Sequence, residues 1–375
     1  MLSHRLPRSL KLAPNIVLVL TCPLQQLPAA MLAEPGQTLA RSDTSSPSGL
    51  VVVIENKPQQ ERLDLVAVNN PTISGVALQI HWRDIEPAQG KPDWAKLDQL
   101  FTAAESSHKW VQLLIFPGFF TPAWALEGAK TETFPLQYGP GKGTLERLPV
   151  PWDGVYLSHW FDFLKQLSAR YGRSPAFKVV AAAGPTSVSA EFTLPGTPED
   201  VQKWRAAGYT PSKYTEAWRK VFQVYATDFP NQYVSLSLGF GLNINERGKQ
   251  DGRERKPTKE AVIEEGISLL GRRFVLQNSN LDGNQEPERG PHGVPLLISY
   301  NGRIVTGLQL RTSCVRNSGN MGAEGDPPLA LRRAIDRGTA PNDAGHRIKY
   351  LEIYEPDVVA DEMQPVLRYG ASLFK

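Results

Sequence analysis

From residue 63 onward the chain alternates between short runs rich in Val, Ile and Leu and longer stretches with helical periodicity. The apolar runs fall at 63–68, 75–82, 110–116, 177–183, 233–240, 273–279, 303–310 and 348–354. Between them lie segments such as "DWAKLDQLFTAAESS", "VYLSHWFDFLKQLSARYG", "YTEAWRKVFQVYATDF", "TKEAVIEEGISLLG" and "PPLALRRAIDRG". Strands that alternate with helices build parallel sheets from βαβ units. Eight of them predict a (β/α)8 barrel, with a doubly wound sheet as the alternative. No glycine-rich dinucleotide or phosphate fingerprint follows the first run, which favours the barrel.

Connection lengths sharpen this reading. Turns that lead from a helix into the next strand are tight: "SSHK", "YGRSPA", "FPNQ", "GR". Segments after strands are long, notably 117–154, 184–212, 241–258 and 311–326. In a barrel all of these emerge at the C-terminal face of the strands, where barrel enzymes keep their active sites.

The N-terminal residues read differently. Residues 1–33 place His4, Arg5, Arg8 and Lys11 before the apolar run Ile16 to Leu20, and small residues follow. That order is expected of a secretory signal peptide, and the run is too short to span a bilayer. Residues 34–50, "EPGQTLARSDTSSPSGL", are expected to be a linker, leaving 51–375 for the barrel. Loss of the three basic residues of the signal leaves 38 Lys and Arg against 38 Asp and Glu. A neutral chain has no electrostatic footprint for nucleic acid, and no membrane contact beyond export is expected. Of the two cysteines only Cys314 lies beyond the signal, so neither an intrachain disulfide nor a cysteine metal site is expected. No cofactor is expected.

The stretch "GVALQIHWRDIEPAQGKPDWAKLDQL" carries the most specific pattern: a strand ending in Trp82, then "RDIEP", a Gly, and "PDW" opening a helix with Asp93 at its start. It resembles the second barrel unit of clan A glycoside hydrolases, the β-galactosidase-like and cellulase-like (β/α)8 enzymes. The match is specific over about 20 residues and loose elsewhere. The resemblance implies a secreted hydrolase of O-glycosidic bonds acting on an oligo- or polysaccharide. It also implies two glutamates, one after strand 4 as acid/base and one at the end of strand 7 as nucleophile. A retaining two-glutamate mechanism is expected, and retaining enzymes hold such carboxyls about 5–5.5 Å apart.

Glu191, in "GPTSVSAE" after the fourth run, fits the acid/base position, although Ala190 replaces the usual Asn. At strand 7 the chain has "IVTGLQLRTS", so Gln309 stands where a Glu is wanted. Strand 8 offers a substitute. Side chains alternate along a strand, so Tyr350, Glu352 and Tyr354 share one face, and Leu351 and Ile353 suit the helical layer. Glu352 is therefore expected inward as the second catalytic carboxylate, with Glu355 as the alternative. Glu86, beside Pro87, is expected to be structural. Asn70, His81, Arg83, Asn278, Gln309 and Tyr354 are expected to bond the substrate. Of the aromatics between 117 and 154, which include Phe120 and Tyr138, Trp124 and Trp152 are expected to stack on sugar rings. No metal ligands are expected. The competing reading is a barrel that binds glycans without cleaving them, supported by Gln309.

Overall fold

A computed structural model describes residues 46–57, 59–136, 141–239, 241–284 and 293–374. Eight parallel strands close into a barrel: β1 (Gly49–Glu55), β2 (Ile73–His81), β3 (Trp110–Phe116), β4 (Phe177–Ala181), β5 (Tyr233–Leu238), β6 (Phe274–Leu281), β7 (Val305–Leu310) and β8 (Tyr350–Tyr354). Closure runs through β1 and β8, with Val51 opposite Glu352 and Val53 opposite Tyr354. Long helices follow the strands, such as Ala95–Ser106 after β2 and Gly154–Tyr171 after β3. The second of these opens where Asp153 accepts from the Val155 and Tyr156 amides, both at 3.0 Å. The segment after β3 also carries an antiparallel ribbon, Thr131–Pro135 with Leu145–Pro149.

The first strand differs from expectation. It begins at Gly49, inside the expected linker, and runs through "VVVIE". The expected strand at 63–68 is instead a loop that enters the 3-10 turn Val66–Asn69. A strand buried on both faces needs a continuous apolar run, which "LVVVI" supplies and the alternating "LDLVAV" does not. Asp64 also turns its carboxylate onto the Val66 amide at 3.2 Å, a local bond that competes with strand pairing. The expected signal, most of the expected linker, and Tyr138 lie outside the described residues.

Register fixes which side chains point inward, because residues paired across parallel strands share a face. Trp110 packs edge-on against Tyr350, centroids 5.7 Å apart. Both rings lie over glycines: a Cβ on Gly75 would come within 2.4 Å of Trp110, and one on Gly307 within 2.1 Å of Tyr350. Further towards the C-terminal ends the interior turns polar. Gln277 accepts from Gln112 and from the Tyr350 hydroxyl, each at 2.8 Å, and Glu352 shares this level. At the mouth stand Gln79, Gln309 and Tyr354.

The "WRDIEP" motif is architectural. Glu86 is buried and accepts from Trp82 Nε1 at 3.1 Å and from the Gly90 amide at 2.9 Å. Gly90 holds a left-handed turn, φ +68°, that only glycine adopts without strain. Asp93 accepts from the Ala95 amide at the helix start, and Trp94 packs on Phe163 and Tyr171 of the neighbouring helix.

Candidate active site

Glu191 reaches the mouth by an unusual route. After β4 the chain runs through small residues, all buried from Ala181 to Ser187. Ring donors pin this passage: Trp160 Nε1 to the Ala183 carbonyl, Tyr156 to the Gly184 carbonyl and Tyr214 to the Pro185 carbonyl, each at 2.7 Å. Small side chains are required because the backbone threads between those rings. The segment then pairs with β5, Glu191 bridging to Ser237, and the Phe192 amide donates to the Ser237 carbonyl at 2.8 Å. Phe192 anchors it against Tyr214 and Trp218.

The carboxyl of Glu191 is half-buried. Burial raises it to about 7, against an opposing hydrogen bond from Ser279 of β6. Ser237 and Ser279 hydroxyls lie 3.1 Å apart beside it. A carboxyl poised near neutrality in a sheltered cleft is suited to hand over a proton.

Gln309 points into the barrel as expected, but both ends of its amide are engaged. Its oxygen accepts from Gln79 Nε2 at 3.3 Å, and its nitrogen donates to the Tyr354 hydroxyl at 2.8 Å. Burial first, then the charges of Glu55, Glu352 and Glu191, hold the Tyr354 phenol well above its ordinary value. It remains a neutral phenol beside the acid. At the end of β2, His81 stacks on Phe120 at 3.6 Å and 10°, and the Arg83 guanidinium lies 5.1 Å from the centre of the same ring.

Glu352 faces inward, but it is fully enclosed, with 0% exposure. Burial raises its carboxyl to about 8; the Gln277 and Gln112 amides are near enough to oppose that in part, yet neither completes a hydrogen bond to it. At neutral pH Glu352 is a protonated acid below the mouth. Its enclosure leaves no surface for a sugar to reach, so the structure lends no support to the expected role of Glu352 as second catalytic carboxylate. The sequence showed the correct face but not the depth. Glu355, the alternative, opens the turn Glu355–Val359 and neighbours Asp64, Lys57, Arg316 and Glu55 at the rim.

Other expected contacts are spent on the fold. Asn70 precedes β2, at the N-terminal edge of the sheet, and its amide donates to the Val358 carbonyl and Gln364 while its oxygen accepts from Thr72. Asn278 sits between inward-facing Gln277 and Ser279, so it faces the helical layer, and its oxygen accepts from the Asn280 amide. Trp124 donates to the Glu86 carbonyl at 3.0 Å and packs edge-on against Trp82. Trp152 packs among Trp204 and Tyr209, with Lys213 over its ring. Both tryptophans anchor the segment after β3. Of the expected set, the mouth gathers Glu191, His81, Gln309 and Tyr354, with Arg83 at its edge.

Three mouth residues were not anticipated: Glu55, Gln79 and Ser279. Gln79 and Ser279 carry no sequence signal beyond strand parity. Glu55 closes the run "LVVVIE", and a correct placement of β1 would have shown it. Among the described residues no group of three or more His, Cys, Asp or Glu is arranged to hold a metal.

No family profile matches the chain, and neither does any curated protein. The fold is similar to that of a β-galactosidase from the Antarctic haloarchaeon Halorubrum lacusprofundi, with TM-score 0.52 and 11% identity over 87% of this chain and 58% of that one. Similarity extends to a β-galactosidase from Marinomonas ef1, with TM-score 0.47 and 13% identity over 86% of this chain and 59% of that one. It includes an endo-β-1,4-xylanase from Gloeophyllum trabeum, with TM-score 0.46 and 11% identity over 83% and 85%. The chain thus spans 58% of the length of the haloarchaeal β-galactosidase. This is the fold of the clan A glycoside hydrolases, shared at a remote distance, and the resemblance read from the "WRDIEP" motif holds at the level of fold.

Proposed function

We propose that the protein hydrolyses O-glycosidic bonds of an oligo- or polysaccharide at the mouth of the barrel, with Glu191 as proton donor. One observation carries the reading: Glu191 is a half-buried carboxyl raised to about 7, held where strands β4 and β5 end. Departure of a sugar oxygen needs a proton at neutral pH, and a donor must still hold one there. The stacked rings of Phe120 and His81 offer an apolar wall next to polar Gln79, Gln309 and Tyr354, the mixture a glycan cleft requires. Neither Gln309 nor enclosed Glu352 supports a covalent glycosyl intermediate. The test is a panel of aryl glycosides and polysaccharides, assayed for released sugar. Turnover of at least one substrate class is the expected result, slowed in Glu191→Ala most for substrates with poor leaving groups.

A second reading has an observation of its own. Gln309 replaces the strand-7 carboxylate and is locked between Gln79 and Tyr354. A barrel that only binds glycans would show saturable binding to a polysaccharide in the same panel, with no released sugar. Export belongs to the proposal as well, on the basic, apolar and small-residue order of residues 1–33. Secreted protein should begin near residue 30, and N-terminal mass spectrometry that finds Met1 would reject it.

A further inference from the structure

We infer that Ser279 of β6 is a positioning residue for the proton donor: its hydroxyl, itself aimed by Ser237 of β5, holds one oxygen of the Glu191 carboxyl so that the proton sits on the other. This rests on Glu191 being the proton donor.

Register brings the three residues to one place. β4 pairs with β5 through Val180 with Val234 and Ala181 with Ser235, and the Ala182 amide donates to the Ser235 carbonyl at 2.8 Å. The chain then leaves the ladder and rejoins it at Glu191, which bridges to Ser237, while the Phe192 amide donates to the Ser237 carbonyl at 2.8 Å. Glu191 therefore takes the β4 position two steps past Ala181, on the face it shares with Ser237. Ser237 pairs in turn with Gln277 of β6, which reaches Gln112 inside the barrel. Ser279 is two residues further along β6, on the same face. The acid and both hydroxyls thus converge from three neighbouring strands.

The direction of the hydrogen bonds follows from the groups. The two hydroxyls lie 3.1 Å apart, and Ser279 also bonds the Glu191 carboxyl. A serine has one proton to give, and a carboxylate only accepts. Ser279 therefore donates to Glu191 and accepts from Ser237, which is buried. The carbonyl oxygen is the better acceptor in a neutral acid, so the acid's own proton is held on the other oxygen. Once that proton passes to a leaving sugar oxygen, Glu191 is a carboxylate. The Ser279 bond is then charge-assisted and about twice as strong, so it favours the transition state over the resting acid.

Burial and this hydrogen bond set the Glu191 value, and no charged side chain among the described residues adds to it. Tyr354 of β8 is the titratable group that feels the charge of Glu191. It stays a neutral phenol, with Glu55 and Glu352 also acting on it.

The experiment measures kcat and kcat/KM against pH for the full-length chain and for Ser279→Ala, Ser279→Thr and Ser237→Ala. Carbon-13 NMR of glutamate-labelled protein follows the Glu191 carboxyl directly, its signal assigned by loss in Glu191→Gln. Removing a donor to the ionised form makes ionisation harder. In Ser279→Ala the alkaline limb and the Glu191 titration should both move to higher pH, and kcat should fall about 10-fold, the worth of one hydrogen bond to a charged group. Ser279→Thr keeps the hydroxyl and should restore both, and Ser237→Ala should move the limb the same way by less. A serine of purely structural value would lower kcat or the melting temperature and leave the limb in place. That result, or a shift to lower pH, overturns the role of Ser279 while Glu191 dependence keeps the glycosidase reading intact. Wild-type rates in Glu191→Gln on poor leaving groups, or no turnover of any glycoside, overturn that reading and this role together.

Discussion

Glu191→Gln is expected to slow hydrolysis of substrates with poor leaving groups by about 10²–10⁴-fold, the usual worth of a positioned proton donor. Aryl glycosides with strongly acidic phenols should lose far less, because such groups depart with little protonation. The pH profile supplies a second readout. Glu191 donates only while protonated, and burial sets its value at about 7. In the wild type kcat/KM should therefore fall as pH rises through about 7, and Glu191→Gln should lose that limb. Initial rates across about pH 5–9 on a series of graded leaving groups measure both effects. An equal loss on every leaving group, with the alkaline limb intact, would remove Glu191 from proton transfer.

Glu352→Gln is expected to stabilise the barrel at neutral and alkaline pH while keeping turnover. The folded value is about 8 against the ordinary 4.5. At acid pH both folded and unfolded chains hold the proton, and the residue carries no penalty. Above 4.5 the unfolded chain ionises while the folded one keeps its proton, so folding stability falls with rising pH until about 8. At about 1.4 kcal/mol per pH unit, the loss near neutrality is on the order of 3 kcal/mol. An amide of the same shape does not titrate and escapes it. Urea unfolding of both proteins at about pH 5 and pH 8 should show a gap that widens in favour of the variant. A gap independent of pH would mean that Glu352 titrates as an exposed acid. Loss of all turnover in a well-folded Glu352→Gln would return it to the chemistry.

Much of the barrel is legible from pattern alone. Buried parallel strands demand apolar runs, and amphipathic helices must cover them, so seven strands could be read from the sequence. Alternation along β8 correctly turned Tyr350, Glu352 and Tyr354 inward, because side-chain direction is a local property of a strand. Glu191 was legible for a similar reason: it is the one carboxylate in a long run of small residues after β4. Depth was not legible. Glu352 and Glu55 both face the barrel axis, yet one is fully enclosed and the other stands 44% exposed at the rim. That difference depends on the stagger between strands far apart in sequence, which no local spacing encodes. The same holds for Asn70, Trp124 and Trp152, whose polar or aromatic character suits a sugar as well as a backbone carbonyl or a neighbouring ring. Only the packed chain decides which partner each one has, since a polar group buried by folding must find its hydrogen bond within the fold.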